Sequence, residues 1–156
     1  MSQAQATAEQ LSPTNSDLQQ ATIKALEPRF NEGDVRAFLE KAASPSAPPA
    51  ISATINWNIA VSGKLVVLPD DQPWRYDVTV WGGPASTGAA VGFMYTGEDS
   101  WDAFFQNTAS YQMIVIGGML QINWFNSSNN TPIGQCNAAG GGPPLQGGGP
   151  GKWQHT

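Results

Sequence analysis

The sequence predicts a mainly β fold, an antiparallel barrel or sandwich of six to eight short strands, preceded by a helical N-terminal arm. Two observations lead to this prediction. The spacing of apolar residues changes from the helical period to strict alternation after Ala50. Short alternating segments then follow one another with turn residues between them. Strands and helices do not alternate along the chain, which argues against a parallel α/β sheet.

Residues 1–50 form the predicted arm, in which we expect two short helices, a proline-rich linker and partial disorder. The first helix is predicted over residues 16–27, because apolar side chains recur there at helical spacing. Ser16 is placed to cap its N-terminus, and Pro28 is expected to end it.

The second predicted helix covers residues 35–43 and follows Asp34, whose carboxylate can cap it. Its apolar residues fall on one stripe: Val35, Phe38, Leu39 and Ala42. Residues 44–50 contain three prolines, which favour extended backbone, so we predict a linker there. The barrel domain is then expected over residues 51–156.

The clearest strand begins at Ile51, where apolar residues alternate with uncharged polar ones as far as Ser62. The other predicted strands are Lys64–Leu68, Trp74–Trp81, Ala89–Tyr95, Tyr111–Ile116, Leu120–Phe125 and Ile133–Ala138. Ser100 is placed to cap a single helical turn. Residues 139–151 are rich in glycine and proline, and we expect the Gly-Gly-Gly-Pro-Gly run at residues 147–151 to form a loop that closes the barrel, with Trp153 as an anchor.

The charge is low and unevenly distributed. Charged residues make up 12% of the chain, against about 25% in ordinary soluble domains. More than half of them lie in residues 1–42, so the barrel region is weakly charged. The net charge of −5 disfavours nucleic acid as a partner. Residues 1–13 contain no apolar signal-peptide core, so we expect secretion if a leader has been removed, and otherwise a cytoplasmic location or leaderless export.

Few residues are candidates for catalysis or for metal binding. His155 is the only histidine and lies next to the last residue, and Cys136 has only that histidine as a potential partner. The densest carboxylate group, Glu98, Asp99 and Asp102, has fewer oxygen ligands than known calcium loops. The sequence therefore predicts no enzyme, no catalytic residue, no metal and no cofactor.

The aromatic residues are more informative about binding. Trp81 falls on the opposite strand phase from the predicted core, beside Arg75 and Asp77, and Phe125 falls on the outer phase of its strand. We take these four as candidate surface binding residues. An indole with an apolar body and a polar N–H suits a membrane interface or the stacking of a sugar. Alternatively, the N-terminal helices or a second copy of the chain cover the weakly charged outer surface.

Several short motifs of the barrel region occur together in a known family. They are Leu120–Ser128, Gly134, Gly147–Trp153, Gly82-Gly83, Gly92-Phe93, Tyr95-Thr96, Asn107-Thr108 and Ser110. Over residues 51–153 the chain thus resembles the rhodococcal virulence-associated protein (Vap) family. The resemblance implies a single antiparallel β-barrel of about eight short strands, of Greek-key type, preceded by a variable N-terminal region. It also implies a secreted effector without known enzymatic activity, which acts on host endolysosomal compartments and membranes.

The leading functional prediction is therefore a non-enzymatic, secreted, effector-like β-barrel that binds a host membrane or another host target. Two alternatives stay open. One is a lectin-like or small-ligand binding module that uses exposed tryptophan and asparagine or aspartate side chains. The other is a structural or toxin-complex component that docks through an apolar barrel face. The expected partners are a host membrane lipid, a host protein or a glycan, and self-association stays open.

Overall fold

The computed structural model describes residues 10–27, 29–81, 85–116, 118–126, 131–141 and 143–156. These residues form three helices: α1 (Ser16–Leu26), α2 (Glu32–Ala42) and α3 (Trp101–Asn107). They also form nine strands: β1 (Ile51–Ile59), β2 (Ser62–Pro69), β3 (Trp74–Trp81), β4 (Ser86–Thr96), β5 (Thr108–Ile116), β6 (Met119–Asn126), β7 (Pro132–Gly141), β8 (Leu145–Pro150) and β9 (Trp153–His155).

Two asparagines begin the helices of the arm. The side-chain oxygen of Asn15 accepts two backbone N–H bonds from the first turn of α1, and that of Asn31 accepts one from α2 at 2.8 Å. The predictions of Ser16 and Asp34 as caps are wrong, because both residues already lie inside a helix. Pro28, the expected end of α1, lies outside the described residues. None of the helices that the structure describes is long and apolar enough to cross a bilayer.

The nine described strands form one antiparallel sheet in the order β8-β5-β6-β7-β4-β1-β2-β3-β9. This order contains two Greek keys, β4-β1-β2-β3 and β8-β5-β6-β7, which are joined where β4 pairs with β7. The sheet curls into a half-barrel, and the hydroxyl of Tyr76 on β3 donates to the carbonyl of Gly151, beside β8, at 3.1 Å. The predicted antiparallel Greek-key barrel class is confirmed.

The core inside the curled sheet is rich in aromatic rings. Trp124 is fully buried, and its ring centroid lies 5.8 Å from Tyr76, 5.5 Å from Phe104 and 5.3 Å from Trp153. Phe104 belongs to α3, whose N-terminus is capped by Ser100 as predicted. Helix α3 thus adds phenyl rings to the barrel interior and contributes to the same core.

The glycine-rich tail forms strands rather than the expected loop. Strand β7 continues to Gly141, β8 pairs with β5, and β9 pairs with β3. The prediction of a loop over residues 147–151 is therefore wrong for residues 147–150, which belong to β8. Glycine leaves no alternation of apolar side chains to detect, which is why the hydrophobic period gave no strand signal there. Trp153 is buried, as the anchor prediction required.

Gly92 marks a close approach between β4 and β7. A Cβ atom at this position would lie 2.5 Å from the Cα of Ala138 and closer still to the carbonyl oxygen of Asn137. We expect Gly92→Ala to lower the free energy of unfolding by about 1–3 kcal/mol, because the two strands must move apart. Urea denaturation followed by tryptophan fluorescence measures the change.

Gly33 provides the matched control. It is exposed in the first turn of α2, and a Cβ there would meet its nearest neighbour at 3.4 Å. Gly33→Ala should leave stability unchanged or raise it by up to about 1 kcal/mol, because alanine favours helix. Equal destabilisation by both substitutions would contradict the assigned strand contact.

Candidate functional site

The outer face of the barrel divides into a covered part and an open part. Helices α1 and α2 pack against β4, β6 and their neighbours through a second apolar cluster, separate from the barrel core. Its residues are Leu26, Val35, Phe38, Leu39, Ala42, Tyr95 and Phe125, with Ile23, Phe30 and Phe93 at its margin. The arm therefore covers part of the outer surface, which is one of the alternatives that the sequence left open.

Phe125 lies on the outer face, as its strand phase predicts, but the arm buries it completely. The ring of Phe30 stacks on it at a centroid distance of 5.9 Å, and the guanidinium carbon of Arg29 lies 4.2 Å from its centroid. The second contact is a cation–π interaction. This corrects the expected exposure of Phe125, which contacts the arm and not solvent.

A closed ring of four amide side chains lies under α1. Gln121 donates to Asn137 at 3.0 Å, Asn137 to Gln135 at 2.8 Å, Gln135 to Asn123 at 2.9 Å, and Asn123 to Gln121 at 3.0 Å. The register of β6 and β7 builds this ring, because Gln121 lies opposite Asn137 and Asn123 lies opposite Gln135. All four residues are buried. We call this group the amide ring.

Thr22 of α1 connects the arm to the amide ring. Its hydroxyl oxygen accepts the second N–H bonds of Gln121 and Gln135, each at 2.9 Å, and donates to the carbonyl of Leu18. Asn137 donates its second hydrogen to the carbonyl of Leu11 at 3.0 Å. The arm thus supplies acceptors for hydrogens that the barrel leaves unpaired, and it is held to the barrel by directional bonds.

The fourth amide of the ring reaches the arm through a further residue. Asn123 lies 3.5 Å from the side-chain oxygen of Gln112 on β5, and Gln112 donates to the carbonyl of Ala25 in α1 at 3.0 Å. Every amide hydrogen of the ring therefore has an acceptor. Because amides do not titrate at ordinary pH, this interface carries no protonation switch of its own.

The amide ring was missed by the sequence reasoning, although a signal for it exists. Gln121 and Asn123 flank an inward isoleucine, and Gln135 and Asn137 flank an inward cysteine, so the pattern Gln-x-Asn occurs twice. Two such pairs become a ring only if their strands are neighbours in the right register. Neither the pairing nor the register can be read from one sequence.

The open part of the barrel brings together two of the predicted surface residues. Arg75 contacts Asp77 at 3.0 Å, and Lys64 of β2 lies 3.4 Å from the other oxygen of the same carboxylate. Trp81 lies four residues beyond Asp77 on β3, about 13 Å along the strand. The three candidate residues of β3 therefore form two separate groups, Arg75 with Asp77 and Trp81 alone.

Trp81 is 68% exposed and lies opposite Ser62 at the end of the β2–β3 ladder. Val61, which directly precedes Ser62, is 81% exposed. We call Val61 and Trp81 the Trp81 corner. The neighbouring outer face carries the uncharged polar side chains of β1, which are Ser52, Thr54, Asn56 and Asn58. Leu68 of β2 and Val91 of β4 flank them and are further exposed apolar residues.

The candidates for chemistry are not assembled into one site. Cys136 is fully buried inside the barrel, and burial raises the pKa of its thiol to about 12. His155 packs edge-on against Trp74 at 4.8 Å on β9, whereas Cys136 lies on β7. Within the described ranges, no three His, Cys, Asp or Glu side chains are grouped as a metal site would need.

Known proteins of the same fold were found among solved structures. One is the virulence-associated protein VapB from the intracellular pathogen Rhodococcus equi, with 24% identity and a TM-score of 0.60 over 69% of this chain and 98% of that chain. Another is VapD from the same organism, with 19% identity and a TM-score of 0.54 over 69% of this chain and all of that chain. No family model and no curated protein matches the chain. The resemblance to the Vap family is thus confirmed at the level of the fold.

Thr22→Val tests the attachment of the arm. The substitution keeps the shape of the side chain but leaves the N–H groups of Gln121 and Gln135 without their shared acceptor. Each buried unpaired donor costs about 1–3 kcal/mol, so we expect α1 to detach from the barrel. Amide hydrogen exchange of α1 should become at least tenfold faster, while β1 and β2 keep their protection.

Thr22→Ser is the control, because serine retains the hydroxyl group. In this variant the amide exchange rates of α1 should stay close to those of the unmodified chain. If Thr22→Val and Thr22→Ser exchange at the same rate, the hydroxyl does not hold the arm. If β1 and β2 lose protection together with α1, the arm and the barrel unfold as one unit.

Cys136 provides a test of the barrel interior. Because its raised pKa keeps the thiol protonated at about pH 8 and the barrel blocks access, we expect negligible reaction with a disulfide reagent in the folded protein. Full reaction should follow in guanidinium chloride. Rapid modification of the folded protein would show that the thiol is accessible or ionised.

Proposed function

We propose, from the shared fold and the open part of the barrel, that this chain is a non-enzymatic, effector-like binding protein that acts at a host membrane. The observation that supports this most directly is the Trp81 corner. Val61 is 81% exposed and Trp81 is 68% exposed, and they belong to the same end of the β2–β3 ladder, because Val61 precedes Ser62, the partner of Trp81. Single exposed apolar residues are ordinary, but two at one end of a ladder favour an interaction site.

The chemistry of the corner suits the boundary between lipid and water. An indole places its ring among acyl chains and its N–H among polar headgroups. Lys64 and Arg75 lie on the same outer face and exceed Asp77 by one positive charge, which favours anionic headgroups. Asp77, the nearest carboxylate on β3, is neutralised by Arg75 and Lys64, so it adds little repulsion against an anionic bilayer.

The contact would be weak and reversible. Full burial of an apolar side chain of this size contributes about 1.5–3 kcal/mol, and a corner inserts only part of its surface. An affinity of this size suits a protein that samples a membrane surface and concentrates there, in keeping with the role that the family resemblance implies.

Glycan binding is the second candidate, and one observation favours it. Asn58 and Thr87 face outward on β1 and β4, and the hydroxyl of Thr87 donates to the amide oxygen of Asn58 at 3.1 Å. Lys64 lies opposite Asn58 on β2 and one row from Trp81. An exposed indole near amide and hydroxyl groups is a common way to hold a sugar ring.

Vesicle flotation with single-residue variants tests the proposal. We expect the unmodified chain to float with vesicles that contain anionic lipid, and Trp81→Ala and Val61→Ser each to lower the partition coefficient about tenfold. Leu68→Ser and Val91→Ser are matched controls, since both residues are exposed and apolar but lie in the middle of the outer face. These two variants should float like the unmodified chain.

Two results would contradict membrane contact through this corner. One is the absence of flotation at both neutral and mildly acidic pH. The other is an equal loss in the corner variants and in the controls, which would indicate non-specific adsorption. A glycan array that gives a signal abolished by Trp81→Ala, without any flotation, would favour the lectin-like alternative.

A further inference from the structure

A groove of about 400 Å³ lies between α1 and the outer face of the sheet. One wall is the helix face of Leu18, Ala21 and Ala25, and the other is formed by Ile114 of β5 and Met119 of β6. Lys24 and Gln146 are its principal polar borders. The groove exists only while the arm is docked, because α1 forms one of its two walls.

Small residues on the helix create this groove. Leu18 and Leu26 of α1 are buried, whereas Ala21 is exposed and Ala25 is only half-buried. A longer aliphatic side chain at position 21 or 25 would extend into the space above Ile114. The two alanines leave that space open and leave Ile114 and Met119 partly exposed beneath it.

The shape and lining of the groove favour an alkyl chain. Its apolar walls are aliphatic and contain no aromatic ring to stack on a planar ligand. A volume of about 400 Å³ lies within the range of about 300–1,000 Å³ that small-molecule sites occupy. A flexible hydrocarbon chain gains free energy when it moves from water onto such aliphatic walls.

Lys24 determines which head group an alkyl ligand in the groove would carry. Its side chain is exposed at the edge of the groove, and in the described part of the protein no carboxylate lies within ion-pair distance of it. On its other side, Lys24 borders a second depression that contains Glu27 and Glu32. An anionic head group is therefore favoured at Lys24 on the groove side, away from these two carboxylates.

We propose that this groove binds one free long-chain fatty acid, with its alkyl chain along Ile114 and Met119 and its carboxylate at Lys24. The proposal goes beyond membrane contact and does not depend on it, because the groove lies beneath α1 and involves none of the residues of the Trp81 corner. The arm would then serve as one half of a binding site as well as a cover.

Titration calorimetry with myristate, kept below its micelle concentration, tests this directly. We expect saturable binding of one myristate per chain. Ala21→Trp should abolish it by filling the groove, whereas Ala37→Trp, the matched exposed alanine on α2, should leave it unchanged. Lys24→Ala should weaken myristate binding about two- to fivefold, as expected for an exposed ion pair.

A charge reversal keeps the test independent of any disturbance by the bulky tryptophan. Lys24→Glu should weaken myristate binding more than tenfold and should strengthen the binding of tetradecylamine, which has the same chain and a cationic head. Hydrogen exchange of α1 should stay unchanged in this variant, which shows that the arm remains docked.

Several outcomes would overturn the proposal. They are the absence of saturable myristate binding, a stoichiometry of several molecules per chain, and unchanged affinity in Lys24→Glu. Trp81→Ala should bind myristate normally, and a loss there would place the ligand at the Trp81 corner instead. Ala21→Trp should float with vesicles like the unmodified chain, and a loss there would mean that bilayer lipid, and not free fatty acid, enters the groove.

Discussion

The amide ring under Thr22 is the constraint on which the arrangement of arm and barrel depends. A buried amide hydrogen without an acceptor costs about 1–3 kcal/mol, so the outer face of β6 and β7 can be covered only by a segment that brings acceptors to defined places. The hydroxyl of Thr22 and the carbonyl of Leu11 meet that condition. The stacking of Phe30 on Phe125 adds attraction, but apolar contacts alone would tolerate several positions of the helix.

This arrangement separates two kinds of polar surface on one small barrel. Beneath the arm, polar side chains are satisfied by one another and by the helix, so they present little to water. On the open part, short uncharged side chains of β1 face solvent, and Asp77 on the same face is paired with Arg75 and Lys64. The low charge of the barrel therefore has two explanations. One part is an intramolecular interface, and the other is a neutral surface suited to contact.

Much of the fold could be predicted from the sequence, because alternation in β1 and β3 is strong and the helical stripe around Phe38 is clear. Strand β8 could not, since glycine carries no apolar signal, and β9 is only three residues long, too short to show a period. Trp81 was correctly assigned to the outer phase and is exposed. The burial of Phe125 and the amide ring depend on which strands are neighbours and on where α1 docks, and both are tertiary properties that local patterns do not contain.

In a ring in which each amide donates to the next, the hydrogen bonds can run from donor to acceptor in either of two directions. Turning over all four amide groups would reverse that direction without breaking the ring, so the barrel alone has no reason to prefer one direction. The carbonyl of Leu11 removes this degeneracy, because it can only accept a hydrogen and therefore orients Asn137. The handedness of the hydrogen bonding on this face is thus imposed by the arm. If a partner displaced the arm, the four amides could turn over together, and the exposed face of β6 and β7 could then match the donors and acceptors of that partner.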